Sequence, residues 1–190
     1  MNTRDFVALT LQAAGGEVQG KTKLQKLLYF VGVLTDRLGE LGYRAHFYGP
    51  YSDDVAYAIG QLKTIGAVDQ NVTDWGVGRS GFEVKRYDYR LNEAGQKFAE
   101  GLARRHPEMA EQIRRAVNLY KQAGDRDYME LSIAAKTYFL LGQKKGRSRL
   151  DHLVKLASRF GWNVSERQIK EAAEYLQKLG LVELVSVESI

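Results

Sequence analysis

Lys21-Thr-Lys-Leu-Gln-Lys-Leu-Leu-Tyr29, followed after a loop by His46-Phe-Tyr-Gly-Pro-Tyr-Ser52, is the stretch that decides the fold. Leu24, Leu27, Leu28, Val31, Leu34 and Leu38 recur at spacings of three and four, which makes one apolar stripe on a helix. Thr22, Lys26 and Tyr29 fall on another side of it. Gly39 and Gly42 bracket the end of that helix, placed just past Leu38. A short extended run, Tyr43 to Tyr48, then meets Gly49-Pro50, which forces a turn. Ser52 suits an N-cap, and Asp53 and Asp54 suit the first turn of the helix it opens. That helix runs to Ile65 and carries Val55, Ile59, Leu62 and Ile65 inward. Helix, short strand, turn, helix and then a hairpin is the order a winged helix needs, the helix-turn-helix variant with a β-hairpin wing.

Working outward, Thr3 to Ala14 reads as a first helix, with Thr3 as its cap and Gly15-Gly16 as its stop. Gly60 sits inside the helix that Ser52 opens, where glycine costs roughly 1 kcal/mol against alanine. A close crossing of another element would justify it. Ala67 to Leu91 reads as a long hairpin with a bulge near Lys85-Arg86, because the apolar parity switches there. Gly76 to Gly81 forms its tip, with Arg79 at the apex. Those glycines superficially resemble a phosphate loop, but no helix begins at them.

Asn92 caps a helix to about Arg104, and Pro107 opens the next, Glu108 to Gln122. Further helices follow from Asp127 to Leu141, around Leu150 to Leu156, and from the Ser165 cap to Leu179; Leu181 to Val187 reads as a final strand. Apolar positions in Leu24–Val68 parallel those in Leu150–Val182, which is consistent with two related lobes or with any two helix pairs sharing leucines. The expected fold is mostly α with a small β component. Residues 1–100 form a winged-helix-like domain, and residues 101–190 form a helical lobe packed on it that could be a second such unit.

The composition is that of a globular chain: 190 residues, 44% hydrophobic and 27% charged. The absence of cysteine removes disulfides, thiol catalysis and cysteine-ligated zinc. No apolar run approaches the ~20 residues of a membrane span, and the N-terminus has no signal-peptide pattern. The expectation is a cytoplasmic protein without a membrane partner. The net charge of +5 is uneven. Residues 1–100 carry 12 Lys+Arg against 12 Asp+Glu, and residues 101–190 carry 16 against 11. The positive field belongs to the second half.

Three candidate sites follow. As a recognition helix, the one Ser52 opens is poor, because Asp53 and Asp54 stand where phosphate and base contacts would be made. The cluster Lys26, Tyr29, Tyr48, Tyr51 and Tyr57, with Thr22 and His46 nearby, suits either a protein interface or packing of the turn. Basic residues Arg79, Lys85 and Arg86 on the wing, with Lys144, Lys145, Arg147 and Arg149 in the second half, suit phosphate contact or a solvated face. Catalysis finds no support. His46, His106 and His152 lack metal-ligand spacing, and no nucleophile elbow, Walker loop or paired metal carboxylates occur, so neither an enzyme nor a cofactor is expected.

The motif pair itself, Lys21 with Lys23-Leu-Gln-Lys-Leu-Leu-Tyr29, then His46-Phe-Tyr-Gly-Pro-Tyr-Ser52 and Ile65-Gly66, resembles the YwgA family of small prokaryotic proteins. It is also similar to the Panacea domain, which pairs a Lys-Leu-Gln-Lys-Leu-Tyr helix with Tyr-Gly-Pro. The resemblance covers residues 5–100 and implies a helical, winged-helix-like core. For Panacea it implies an antitoxin that neutralises a toxin by contact; the YwgA family implies no activity. Tyr51-Ser52-Asp53-Asp54 after the Gly-Pro follows the YwgA type. The expected function is a non-enzymatic winged-helix protein that is nucleic-acid-binding or regulatory, with mainly electrostatic contacts to phosphate, most simply of duplex DNA. The alternative is a protein-interaction module, antitoxin-like or an adaptor, using the Tyr-Gly-Pro-Tyr-Ser surface. A homodimer would suit the winged-helix reading, although no heptad demands it.

Overall fold

The computed structural model describes residues 1–77, 83–143 and 148–185. Among them are eight α-helices, α1 (Thr3–Ala14), α2 (Lys21–Leu34), α3 (Asp53–Thr64), α4 (Glu93–Arg105), α5 (Pro107–Gln122), α6 (Tyr128–Gln143), α7 (Leu150–Arg159) and α8 (Glu166–Lys178), and three strands, β1 (Glu17–Gln19), β2 (Val68–Val77) and β3 (Glu83–Leu91). The protein is thus mostly helical with a small antiparallel sheet. Side-chain caps set several helix starts. Ser52 Oγ accepts from the Val55 amide, Asn92 Oδ1 accepts from the Gly95 amide, and Ser165 with Gln168 forms a capping box. α1 is capped by Asn2, not Thr3, because its side chain accepts the Asp5 N–H.

The sheet has the order β1-β3-β2. β1 is the strand that sequence patterning misses, since three residues with two exposed polar side chains carry no alternation to read. The extended run at Tyr43 to Tyr48 forms no ladder strand. Its contribution is a single bridge between Arg44 and Tyr51 that closes the Gly49–Pro50 turn. The bulge lies in β2 rather than at Lys85-Arg86: register is continuous from Asp74↔Lys85 to Val68↔Leu91 and shifts between Asp74 and Val77. Gly76, at φ +75°, takes the left-handed conformation the bulge requires. The hairpin tip with Arg79, and residues 144–147, lie outside the described residues.

α2 is central, not amphipathic. Every residue from Leu24 to Gly32 is buried. One side joins a cluster running from Phe6 on α1 to Val117 on α5; the other, at Tyr29 and Phe30, packs on α6 and α8. A third cluster joins α6, α7 and α8 around Trp162. α2 stops at Leu34, short of Leu38, because Asp36 turns left-handed at φ 55° and the Arg37 amide donates back to the Gly32 carbonyl at 2.7 Å. A 3₁₀ turn, Leu38–Leu41, then lays Leu41 against Gly32, where a Cβ would lie 2.7 Å from the leucine methyl. Residues 181–185 form no strand, so no β element accompanies α7 and α8 among the described residues. No helix among them is long and apolar enough to cross a membrane.

Candidate interaction site around the Gly49–Pro50 turn

The two halves of the sequence motif meet. From α2, the Gln25 side chain makes a reciprocal pair with the Ser52 backbone: its Nε2 donates to Ser52 O at 2.9 Å and its Oε1 accepts from Ser52 N at 3.1 Å. One residue on, Lys26 Nζ donates to the Pro50 carbonyl at 2.6 Å. The Tyr43 hydroxyl donates to the Gln25 carbonyl at 2.7 Å, and Ser52 Oγ donates to the Leu41 carbonyl. These are buried polar groups whose hydrogen bonds are mutually satisfied. The turn is gripped from a second direction by the last three helices. Trp162 Nε1 donates to the His46 carbonyl at 2.7 Å. Gly49, at φ +90°, lies so close to α6 that a Cβ would stand 3.0 Å from Lys136 Cγ and 3.1 Å from the Ser132 carbonyl oxygen.

The electrostatics beneath the turn are unusual. Lys26 is 1% exposed, and among the described residues neither it nor Lys136 pairs with a carboxylate. Burial, helped by the nearby Lys136 charge, lowers the Lys26 amine to about 7, and burial lowers Lys136 in turn. Lys136 Nζ lies 5.4 Å from the Trp162 ring, and Lys21 Nζ lies at the same distance from the Tyr51 ring. Burial raises Tyr29 and Tyr43 well above the ordinary tyrosine value, so both stay neutral. No three His, Asp or Glu side chains among the described residues come together to hold a metal.

The tip of the same turn faces outward. Phe47 is 71% exposed and Tyr48 47%, their rings edge to face with centroids 5.0 Å apart. Tyr57, on the outer face of α3, is 71% exposed, and Tyr51 is half-buried beside His46 at 5.2 Å. Lys26 and Tyr29, expected on an interaction surface, point into the core instead, because α6 and α8 cover the side of α2 opposite its leucine stripe. Phe47, Gln25, Lys136 and Trp162 went unread. Gln25 stands between Leu24 and Lys26, off the leucine stripe, and its neighbours give no signal of burial.

The candidate basic residues that are described are each paired or stacked. Lys85 Nζ lies 3.5 Å from Asp74, Arg86 bonds Asp88 and sits over the Trp75 ring at 5.4 Å, and Arg149 pairs with Asp151 at 3.2 Å. Arg79, Lys144, Lys145 and Arg147 lie outside the described residues. At the start of α3, Arg44 pairs with Asp53.

No family model matches the chain. Over 85 residues it is 32% identical to the uncharacterized protein YwgA of Bacillus subtilis (strain 168), a stretch that is 45% of this chain and 47% of that one. The match thus spans about half the length of the relative, and it supports a YwgA-like relationship over that stretch.

Proposed function

We propose that the protein is a non-enzymatic interaction module whose partner is a protein, engaged through Phe47 and Tyr48. The observation that carries this reading is the contrast within one turn. Its underside is fixed by buried hydrogen bonds from Gln25, Lys26 and Trp162, while its tip holds two aromatic rings in solvent. A pre-ordered loop pays little further entropy when it binds, and exposed aromatics are the commonest interface anchors. Residues 1–91 would be a winged-helix unit, supported by the order α1-β1-α2-α3-β2-β3 and by the sheet order β1-β3-β2. In that frame Asp53 and Asp54 open the helix that would read DNA, which disfavours a groove-reading role. The Panacea-like motif pattern adds a precedent for neutralisation by contact. The test is a photo-crosslinking amino acid at position 47, used in the producing cell: a protein adduct that is absent with the same probe at Thr64 supports the reading.

A second reading, nucleic-acid binding in the cytoplasm, is favoured by the Trp75–Arg86 stack on the hairpin and by the positive charge of residues 101–190. Its exposed ion pairs are weak and exchange readily for phosphate. Fluorescence anisotropy with random duplex DNA tests it. Binding that collapses between ~50 and ~200 mM salt supports this second reading, and its absence at the lower salt rejects it.

A further inference from the structure

β2 is an edge strand whose outer side is open, and its register is self-complementary. The Gly20 amide donates to the Tyr87 carbonyl at 3.1 Å and the Leu91 amide to the Gly16 carbonyl at 2.7 Å. Tyr87, Tyr89 and Leu91 therefore direct their main-chain groups toward β1. Arg86, Asp88 and Arg90 alternate with them and direct theirs toward β2, onto Thr73, Asn71 and Asp69. By the same alternation Gln70, Val72 and Asp74 aim N–H and C=O away from the sheet, and among the described residues these groups have no hydrogen-bond partner. Val72 is 51% exposed and Trp75 57%. Lysine and proline, two of the devices that guard such an edge, are absent from Val68–Val77, and a third, the bulge, lies past Asp74.

We infer that the β2 edge pairs antiparallel with β2 of a second copy of this chain, about a twofold axis through Val72. In that register the outward main-chain groups all fall in hydrogen-bonded pairs: Val72 faces Val72, and Gln70 faces Asp74 twice. On the opposite face Asn71 meets Thr73, so no like charges oppose each other. Displacing the axis by one residue, to Thr73, keeps outward groups paired but sets Val72 against Asp74, which loses the apolar cross-strand contact. Charge within the hairpin is already matched, Asp69 with Arg90 at 3.7 Å and Asp74 with Lys85 at 3.5 Å, so two copies approach without net repulsion along the strand. The contact involves five residues from each chain, below the size of a permanent interface, and the dimer is reversible.

The chain lacks cysteine, which makes the test direct. Sedimentation velocity on the full chain, from about 5 to about 500 µM, reads a small interface of this kind. The wild type shows a sedimentation coefficient that rises with concentration, and Val72→Lys, which sets two ammonium groups across the axis, abolishes the rise. Under mild oxidation a Val72→Cys variant forms covalent dimer much faster than an Ile65→Cys control, since residues of a hydrogen-bonded antiparallel pair stand at disulfide-compatible spacing. A wild type that stays monomeric throughout overturns the inference. So does a dimer that Val72→Lys leaves intact, or equal cross-linking at both positions.

Discussion

The Gly49–Pro50 turn and the β2–β3 hairpin both project exposed aromatic residues, but they are held in opposite ways. The turn makes one backbone bridge and depends on side chains beneath it: Gln25, Lys26, Tyr43, Ser52 and Trp162. The hairpin depends on a continuous backbone ladder, and its surface charges are paired with each other in solvent. Backbone ladders tolerate sequence change, whereas a turn held by particular side chains does not. The difference explains why Gln25, Lys26, Pro50 and Ser52 of the decisive motif are buried. These residues position the turn, and Phe47 and Tyr48 are left to make the contact.

The largest effect comes from breaking the root of the hairpin. A Cβ at Gly95 would stand 2.0 Å from the Ala67 carbonyl oxygen, a backbone atom that cannot yield. Gly95→Ala should cost about 3 kcal/mol in urea-induced unfolding, at the upper end for overpacking. Breaking the root of the turn comes next. Gln25→Ala leaves the buried Ser52 N–H without a partner, while Ser52 O keeps the Ala56 amide at 3.2 Å. Roughly 1–3 kcal/mol should be lost, read by the same denaturation.

Lys26 sharpens the comparison through pH. Its amine titrates at about 7 in the fold and at 10.5 in the unfolded chain. Between those values the unfolded chain holds one proton more, so stability rises with pH, by at most about 1.4 kcal/mol per unit, and the gain is absent below pH 7. Above about pH 10 the buried tyrosines Tyr29, Tyr43, Tyr120 and Tyr175 reverse the trend, because only their unfolded forms ionise readily. Stability measured against pH should therefore peak between about 9 and 10, and Lys26→Met should flatten the rise from pH 7. A wild-type curve flat across that window would mean that Lys26 is charged in the fold.

The smallest effect lies on α3, between the two regions. Nothing stands within 4 Å of a Cβ built on Gly60, so no close crossing explains that glycine. Gly60→Ala should raise stability by about 0.5–1 kcal/mol, visible as a higher thermal midpoint.

Much of this architecture was legible in the chain. The Gly15 stop of α1, the Ser52 cap of α3 and the Asn92 cap of α4 follow from local chemistry, because caps and glycine stops act over a few residues. Burial of α2 on all sides did not follow. A leucine stripe reports one packed face, and only the tertiary placement of α6 and α8 shows that Lys26 and Tyr29 face another. β1 and the position of the bulge were hidden for the same reason, since both are set by pairing with β3 rather than by any pattern of their own. Of the tyrosine cluster expected at the surface, Tyr48 and Tyr57 are exposed, whereas Lys26 and Tyr29 are buried. Phe47, between His46 and Tyr48, carries no pattern that marks it as exposed, yet it is 71% exposed.

The central claim is that Phe47 and Tyr48 serve a partner while the residues beneath them serve the fold. The measurement that separates the two is the double variant Phe47→Ala/Tyr48→Ala, compared with wild type in thermal unfolding and in photo-crosslinking from a probe placed at the neighbouring exposed His46. The account predicts an unfolding midpoint close to wild type together with loss of the protein adduct. An adduct of undiminished yield, or a midpoint lowered as far as in Gln25→Ala, would contradict it.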